Sequence, residues 1–494
     1  MAAIKGQPSF YILISLIEIW TPNSIKNPMA RPNNDSVIRI AECEEIVISK
    51  SYKQLVSTAN VRFPRGTVIK RTRTVVNKDE FDPKISVDTS DHGIVYETRL
   101  DSRKATLSDF RIGDRITIML GYTEDPKIAD LAKANKSSSI FNDVDKYNIY
   151  KSKLHTVFEG YIERVSLDTP IELECGDLAS SLKRFSCPRI QLKSTTVNAL
   201  LSNEKGCYNL LEDTGLTLDV ESAKCKIPIS HVSLTDDQVV SDELLRWNNL
   251  GLYAFVQFVN NNPVLTVRRA YFSNPGGDSI LSANQRNSNK SQPIVIDFGY
   301  HVSDNDLSLM DTDKDFMVVE ASGIDKDNTT LRVTVRLNPN WKKGMPESDK
   351  YQFLNEKKES KKQQKKKKKK KKKSGGTTKK PRKPKWKMKE YTVVSFVSRK
   401  AITTSEELRK EAVQYFENYN MNGIDGSLTL FGDLNIEPAD QVRLFDERQP
   451  GKNGIYIVEE VVTKFGNNGY RQTIKLPYCL SRNSNEITIT SNET

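Results

Sequence analysis

The chain has 494 residues, of which 37% are hydrophobic, so it is long enough for roughly three domains with real cores. Its net charge is +12, but residues 356–389 contain 20 Lys or Arg and 2 Glu, a local charge of +18 that leaves −6 on the rest. Because the positive charge belongs to one segment, this distribution excludes a basic-faced nucleic-acid-binding fold.

The cysteines and the first apolar run limit the choice further. None of the six cysteines has Cys-x-x-Cys spacing, which argues against a zinc site or a disulfide framework and favours free thiols. The run Phe10–Trp20 contains Glu18 and is too short to cross a membrane, and no cleavage site follows it closely. It is therefore predicted to be the first β-strand, and no stable membrane insertion is expected.

Strand patterns dominate the next part of the chain. They cover Val37–Ile48, Val56–Phe63, Gly93–Leu100, Arg115–Tyr122 and Thr156–Cys175. The polar stretch Asp125–Lys153 predicts a long loop between two strands, and Asp177–Lys183 predicts a short helix. We therefore predict a strand and connector in residues 1–35 and a first β-barrel in residues 36–184.

The hydrophobic period changes after residue 190. Thr195 and Thr196 precede an apolar group at helical spacing, and Gln238–Leu250 shows the same spacing. A hairpin is predicted from Leu252–Phe258 and Val264–Val267. These patterns indicate a small α/β module in residues 185–290.

Strand patterns return at Ile294–Asp297, Phe316–Ala321 and Thr330–Leu337. The lysine-rich insertion, residues 341–389, repels itself and cannot bury apolar surface, so it is predicted to be disordered. A strand follows at Tyr391–Val397, and Thr403–Tyr419 predicts a capped helix with one apolar face. We predict a second β-barrel in residues 291–340 and 390–480, with an inserted helix at 403–419 and a polar tail at 481–494.

Two parts of the chain follow the same series of patterns. The first part comprises Ile112–Ile118, Phe158–Val165 and Pro170–Cys175, and the second comprises Pro438–Leu444, Gly454–Val461 and Gln472–Leu476. An internal duplication explains the match, and two unrelated strand meanders with similar turns are the alternative. The predicted fold class is mainly β (α+β): two related tube-like β-barrels, a small α/β module between them and the disordered Lys-rich insertion.

No catalytic or metal-binding pattern is found. The histidines are isolated at His92, His155, His231 and His301. Asp311–Asp315 begins like a calcium loop, but Phe316 and Ser322 replace the required Gly and Glu, so a solvated turn is favoured. Paired carboxylates such as Asp304 and Asp306 are interpreted as exposed strand charges rather than a glycosidase dyad. No cofactor is predicted, and the protein is predicted not to be an enzyme.

The lysine run has two interpretations. It binds a polyanion through counterion release, or it is a solvated loop that keeps an assembly soluble or steers it towards an acidic partner. The candidate polyanion-binding residues are Lys365, Lys366, Lys367, Lys368, Lys369, Lys370, Lys371, Lys372, Lys373, Lys379, Lys380 and Arg382.

Residues 37–479, apart from the insertion, resemble a known family. The motifs are GDRITIMLGY, FEGYIERVS and PIELECGDLASSLKR in the first half, and GSLTLFGDLNIEPADQVRLFD and GIYIVEEVVTKFGNNGYRQTIKL in the second. They resemble the late control protein D and baseplate hub (tail hub) family of contractile-tailed phages, which is similar to the N-terminal hub module of VgrG in type VI secretion.

The resemblance implies a structural viral tail protein in the virion, made in the host bacterial cytoplasm. It implies a homotrimer whose ring adapts the sixfold tail tube to the threefold central spike and encloses the channel for tape measure and DNA. The implied partners are the tail tube protein, the central spike protein, the tape measure protein and other baseplate proteins, with transient DNA passage during ejection. No spike or lysin sequence follows Cys479, so both functions are expected from partners.

Three other functions are weighed against this one. The first is the hub of a phage-like contractile injection system of the type VI kind, and the second is a nucleic-acid- or polyanion-binding protein acting through the Lys-rich segment. A tail-borne cell-wall hydrolase would need a catalytic dyad, which the sequence does not show.

Overall fold

The structure is a computed structural model. It describes residues 11–21, 37–77, 88–89, 95–131, 144–167, 169–224, 227–248, 252–259, 262–269, 293–309, 317–324, 330–338, 340–341, 345–346, 349–354, 392–397, 404–419 and 424–481.

Most of the described chain is β-structure, which confirms the predicted mainly β class. The strands are β1 (Ile12–Trp20), β2 (Ile38–Ile40), β3 (Glu45–Ser51), β4 (Thr58–Arg62), β5 (Val68–Asn77), β6 (Asp88–Thr89), β7 (Val95–Lys104), β8 (Arg115–Thr123), β9 (Leu154–Val165), β10 (Glu172–Asp177), β11 (Ile190–Thr196), β12 (Pro228–Leu234), β13 (Leu252–Val259), β14 (Asn262–Arg269), β15 (Ile294–Asp297), β16 (Val302–Asn305), β17 (Ser308–Leu309), β18 (Met317–Ile324), β19 (Thr330–Leu337), β20 (Tyr351–Leu354), β21 (Thr392–Val397), β22 (Ile424–Asp425), β23 (Leu428–Phe431), β24 (Gln441–Phe445), β25 (Gly454–Ile457), β26 (Glu460–Gly466), β27 (Gly469–Lys475) and β28 (Tyr478–Ser481).

Helices are short and few among the described residues. The α-helices are α1 (Pro126–Leu131), α2 (Val144–Lys151), α3 (Val197–Leu201), α4 (Val220–Lys224), α5 (Val240–Asn248) and α6 (Ser405–Tyr419). The 3₁₀ helices are Leu107–Asp109, Leu178–Arg184, Gly432–Leu434 and Pro450–Lys452. None of the helices in the described ranges is long and apolar enough to cross a membrane.

One large sheet joins strands from both halves of the chain. Its order is β16-β23-β27-β26-β3-β4-β10-β9-β8-β1-β2-β5-β7-β6. From β3 to β2 the strands contribute side chains to a single core, which includes Ile46 of β3 and Ile40 of β2. The predicted N-terminal strand is β1, and it lies inside the sheet because it pairs with β8 on one side and β2 on the other.

The stretch predicted as a long loop between β8 and β9 instead contains α1 and α2. Their apolar side chains cover the second face of β1, where Ile14 and Leu16 are buried together with Tyr150 of α2. The Tyr150 hydroxyl also donates a hydrogen bond to the backbone oxygen of Ser15, at 3.0 Å. The prediction was wrong because α2 is short and mostly polar, so its few core contacts leave little periodic signal in the sequence.

A second core lies between the β26-β27-β23 part of the large sheet and a four-stranded sheet of order β15-β24-β25-β28. Fully buried side chains from both sheets meet there, among them Leu430 of β23, Leu444 of β24 and Ile474 of β27. Successive side chains of these strands point in turn into this core and towards the outer face, which explains the alternation of apolar and polar residues that predicted them.

The α/β module forms a third core. The predicted helices are confirmed as α3 and α5, and the hydroxyl of Thr196 caps α3 by accepting the N–H of Ala199 at 3.2 Å. The predicted hairpin is β13 and β14. Arg268 of β14 is fully buried and donates to the Asp219 carboxylate at 2.8 Å.

The described residues of 11–309 and 424–481 form one compact unit, and those of 317–419 form another. The second unit is a sheet of order β20-β19-β18-β21 with α6 packed on it through Leu408, Ala412 and Phe416, the apolar face predicted for this helix. The strands of 317–337, assigned above to the second β-barrel, thus pair within this separate unit. The domain boundaries themselves remain a prediction.

Candidate functional site: a repeated β-unit

The residues proposed for polyanion binding, Lys365–Lys373, Lys379, Lys380 and Arg382, lie outside the described residues, as does Asp311–Asp315. Within the described ranges there is no cluster of His, Cys, Asp and Glu suited to a metal ion. The geometry that bears on function is instead the pair of similar β-structures in the two halves of the chain.

The same turn precedes β8 and β24. Before β8, the Asp114 carboxylate accepts the N–H of Arg111 at 3.1 Å; before β24, the Asp440 carboxylate accepts the N–H of Glu437 at 2.9 Å. In both turns the same Asp also accepts a second N–H through its backbone oxygen, from Ile162 of β9 in the first half and from Val458, between β25 and β26, in the second; both of these bonds are 2.9 Å. An Asp at this position therefore closes the turn in each half.

The residue before each Asp has a left-handed backbone. Gly113 has φ of 92° and Ala439 has φ of 69°. Each donates its N–H to a backbone oxygen at 2.8 Å, Gly113 to that of Ile162 and Ala439 to that of Val458. Since alanine adopts this conformation at a cost of roughly 1–2 kcal/mol, its retention in the second half indicates that the turn geometry is the repeated feature.

The register of strand pairing is also repeated. Each of four residue pairs in the first half has an equivalent in the second. Starting from the turn, Arg115–Tyr161 corresponds to Gln441–Ile457, Val165–Leu173 to Val461–Ile474, Leu173–Val61 to Ile474–Leu428, and Glu45–Arg62 to Asp304–Thr429. We name β3, β4, β8, β9 and β10 the first β-unit, and β16/β17, β22/β23, β24, β25/β26 and β27 the second β-unit. A common register over five strand positions favours duplication over unrelated meanders.

The sequence predicted only part of this repeat. It matched the strands after each turn, but it did not match β3 with β16/β17 or β4 with β22/β23. In the first β-unit β3 and β4 are separated by a short connection, whereas Asp311–Met421 lies between their counterparts. Residues 304–308 (DNDLS) and 425–429 (DGSLT) have one apolar side chain each, so they carry too little alternation for the sequence to reveal this part of the repeat.

The two β-units are joined by direct strand pairing. β3 of the first β-unit pairs antiparallel with β26 of the second from Ser51–Glu460 to Glu45–Gly466. The Lys50 Nζ of β3 lies 2.8 and 2.9 Å from the two carboxylate oxygens of Glu437, and Lys53 contacts Glu459. We call this the internal pairing.

The outer face of the joined sheet is polar across the junction. A cross-strand row runs through Glu174, Asn60, Val47, Lys464 and Arg471, from β10 to β27. Of these five, only Val47 is apolar, and the charges are of both signs. The row is thus a hydrated surface shared by both β-units, in contrast to the apolar cores behind it.

Asp177 ends β10 and caps the 3₁₀ helix that follows it. Its carboxylate is buried and accepts the N–H groups of Ser57 at 2.8 Å and Ala179 at 3.0 Å. Burial raises its pKa to about 6 despite these hydrogen bonds. The folded state therefore holds a proton between about pH 4, the ordinary value for an unfolded chain, and pH 6.

We expect this carboxyl group to make stability fall as pH rises from 4 to 7, because the unfolded chain loses its proton first. The effect should be about 3 kcal/mol, since each pKa unit corresponds to about 1.4 kcal/mol. Urea unfolding of the wild type and Asp177→Asn should show a difference that shifts in favour of the variant across this range. A difference that stays constant with pH would contradict the raised pKa.

Comparison with known proteins was made for sequence and structure. No family model and no curated protein matches the chain. Among solved structures, the tail protein from Neisseria meningitidis MC58 is 11% identical with a TM-score of 0.45, covering 94% of this chain and 96% of that one. The 43 kDa tail protein of prophage MuSo2 from Shewanella oneidensis is 11% identical with a TM-score of 0.41, covering 93% and 97%.

A chain of the half-lidded PdpA–VgrG complex from Francisella is 10% identical with a TM-score of 0.42, covering 94% of this chain and 58% of that one. These neighbours are two tail proteins and a chain of a VgrG complex. The likeness is one of coarse fold.

Proposed function

We propose that this chain is the structural hub of a phage-type tail and acts as a homotrimer rather than as an enzyme. The observation that carries the proposal is the repeated β-unit within one chain. Three copies supply six similar β-units, so a threefold ring presents a nearly sixfold face to a tail tube and a true threefold face to a spike. A chain with one β-unit would have to be hexameric to do the same.

The polar outer face of the joined sheet supports a channel. A ring that passes tape measure protein and DNA needs a hydrated lining of polar and charged side chains, and the row from Glu174 to Arg471 has this character. Tail tube, spike, tape measure and other baseplate proteins are the proposed partners. The hub of a phage-like injection system would use the same geometry.

Native mass by light scattering tests the proposal. We expect three times the mass of one chain at both low and high salt, for the full protein and for a variant lacking residues 356–389. The deletion removes a charge of +18, so a trimer that survives it is not held together by that charge. A monomer under every condition would overturn the proposal, and an assembly that dissolves with salt would point to polyanion-driven association.

The Lys-rich segment is proposed as an accessory polyanion-binding element. We expect duplex DNA to bind the full chain and to lose about 10³–10⁵-fold in affinity between 50 and 200 mM salt, as for a protein making several phosphate contacts. The variant lacking residues 356–389 should lose this binding and stay trimeric. A matched variant with Lys365–Lys373 replaced by Ser keeps the length of the segment, so it separates the effect of the charge from the effect of the length. Equal DNA binding by all three proteins would contradict this role.

A further inference from the structure

A cavity of about 380 Å³ lies in the α/β module, between α3, α4 and the loop that connects them. The loop folds back along α3, because the N–H groups of Tyr208 and Leu210 each donate to a backbone oxygen of that helix at 2.8 Å. Its other end is fixed to β14, where Thr217 and Asp219 both form backbone hydrogen bonds of 2.9 Å with Leu265. The volume is at the lower end of the range for ligand pockets, so the cavity suits one side chain rather than a large cofactor.

The lining of the cavity is partly apolar. Leu201 and Leu216 are buried in it, and Leu218 is half-buried. Val220 also lines the cavity but is 65% exposed, so it lies at the mouth, and Tyr208, whose neighbour in sequence lines the cavity, is 44% exposed. A ligand can therefore bury aliphatic surface inside the cavity and further apolar surface at its mouth.

Two hydrogen-bond acceptors of the lining have no partner in the described part of the chain. The Oδ1 atom of Asn198 is buried and accepts no hydrogen bond, and the Glu204 carboxylate takes part in no ion pair. Ser202 holds the backbone of both residues, because its N–H donates to the Asn198 oxygen at 2.9 Å and its hydroxyl accepts the Glu204 N–H at 3.1 Å. Lys224 also lines the cavity, but it already has an interaction within the chain.

The unpaired groups define the chemistry of a ligand. A buried acceptor without a donor costs free energy, and so a ligand that supplies N–H groups gains a hydrogen bond that the free protein lacks. A guanidinium carries five N–H groups in a planar fork, which can reach a carboxylate and an amide oxygen together. The aliphatic stem of arginine packs on apolar surface while its charged end stays among polar groups. An anionic or purely apolar ligand would leave both acceptors unpaired.

We propose that this cavity binds an arginine side chain presented by an extended segment of a partner protein. The guanidinium donates to Asn198 Oδ1 and to the Glu204 carboxylate, and the stem packs on the leucines of the lining. Apolar side chains on either side of the arginine cover Val220 and Tyr208, which a free amino acid does not reach. The site goes beyond the proposed hub and does not depend on a trimer, so either proposal can fail without the other.

Saturation-transfer difference NMR tests the site with the full chain and the tripeptide acetyl-Leu-Arg-Leu-amide. We expect the tripeptide to bind about tenfold more tightly than its citrulline counterpart, which has the same size but no charge, since a charge-assisted hydrogen bond contributes on this scale. Free L-arginine should bind more weakly than the tripeptide. Equal affinities for the arginine and citrulline tripeptides would overturn the proposal, and free arginine binding as tightly as the tripeptide would overturn the assignment to a partner protein.

Two substitutions in the lining locate the binding. Glu204→Gln and Asn198→Leu should each weaken tripeptide binding about tenfold, because each removes one acceptor of the guanidinium. Glu204→Gln should also remove the preference for arginine over citrulline. Glu212→Gln is the matched control, since Glu212 is an exposed carboxylate of the same loop that does not line the cavity, and it should bind like the wild type. Equal binding by all three variants would place the tripeptide elsewhere and overturn the site.

Urea unfolding distinguishes a binding role of Asn198 from a structural one. Leucine removes the unpaired buried acceptor and forms helices better than asparagine, so the free Asn198→Leu variant should be at least as stable as the wild type. Weaker binding with unchanged or higher stability supports the site. A clear loss of stability would show that Asn198 is already paired in the free protein, through a bound water, and would overturn its role in binding.

Discussion

We expect Arg268→Met to lower the free energy of unfolding by about 3–5 kcal/mol, the usual result of removing one partner of a buried ion pair. Arg268 is fully buried in the core of the α/β module, where its guanidinium donates to Asp219 at 2.8 Å and to the backbone oxygen of Val267 at 2.9 Å. Methionine fills similar space but leaves the Asp219 carboxylate, itself buried, without its counter-charge. Urea unfolding at fixed protein concentration measures the loss.

Arg246→Met is the matched control in the same module. The Arg246 side chain is 55% exposed and contacts Glu243 at 3.3 Å, and a solvated partner of this kind contributes only about 0–1 kcal/mol. The Glu243 carboxylate is buried, but it keeps the hydrogen bond from the Trp247 indole N–H at 2.9 Å in the variant. Both variants remove a guanidinium from the α/β module, Arg268→Met from its buried core and Arg246→Met from its surface. Equal losses of stability for both would contradict the importance of burial at Arg268.

Gly160→Ala is expected to destabilise the first β-unit by about 3 kcal/mol, at the upper end of the usual cost of overpacking. A Cβ atom on Gly160 would lie 2.1 Å from the backbone oxygen of Gly176 and 2.8 Å from the Cα of Asp177. Both obstacles are backbone, so no side chain can rotate away and β9 must move from β10. Thermal or urea unfolding measures the effect.

Gly451→Ala provides the comparison for this variant. No atom lies within 4 Å of a Cβ added at Gly451, and its φ is not in the left-handed region. Its stability should therefore change by no more than about 0.5 kcal/mol, as for most surface substitutions. If Gly160→Ala were equally mild, β9 and β10 would have more freedom to separate than the structure indicates.

Local patterns in the sequence were sufficient for many of the strands and for the longer helices, but β5, β11 and β12 were not predicted. The alternation of apolar residues in β24 and β27 follows directly from one face being buried, and α6 shows its cap, acidic first turn and apolar face in consecutive residues. Asp114 and Asp440 occupied the same place in the matched strand patterns, although the turn that each of them closes was not predicted. Such features need only a few neighbouring residues.

Other features depend on residues far apart in the chain. α2 is recognisable only from its cover over β1, which is more than a hundred residues away. Arg268 looks like an ordinary strand-end charge until the fold brings Asp219 to it. In each case the stabilising contact is made between elements, so no local periodicity records it.

The sequence by itself determined that this protein is mainly β, that its halves share a series of strand patterns, and that its positive charge is confined to one segment. Only the tertiary structure decided how far the repeat extends and that β3 and β26 join the two β-units. The physical reason is that strand pairing is a long-range interaction: alternation shows which face of a strand is buried, but the neighbour at each edge is chosen by backbone hydrogen bonds between distant segments.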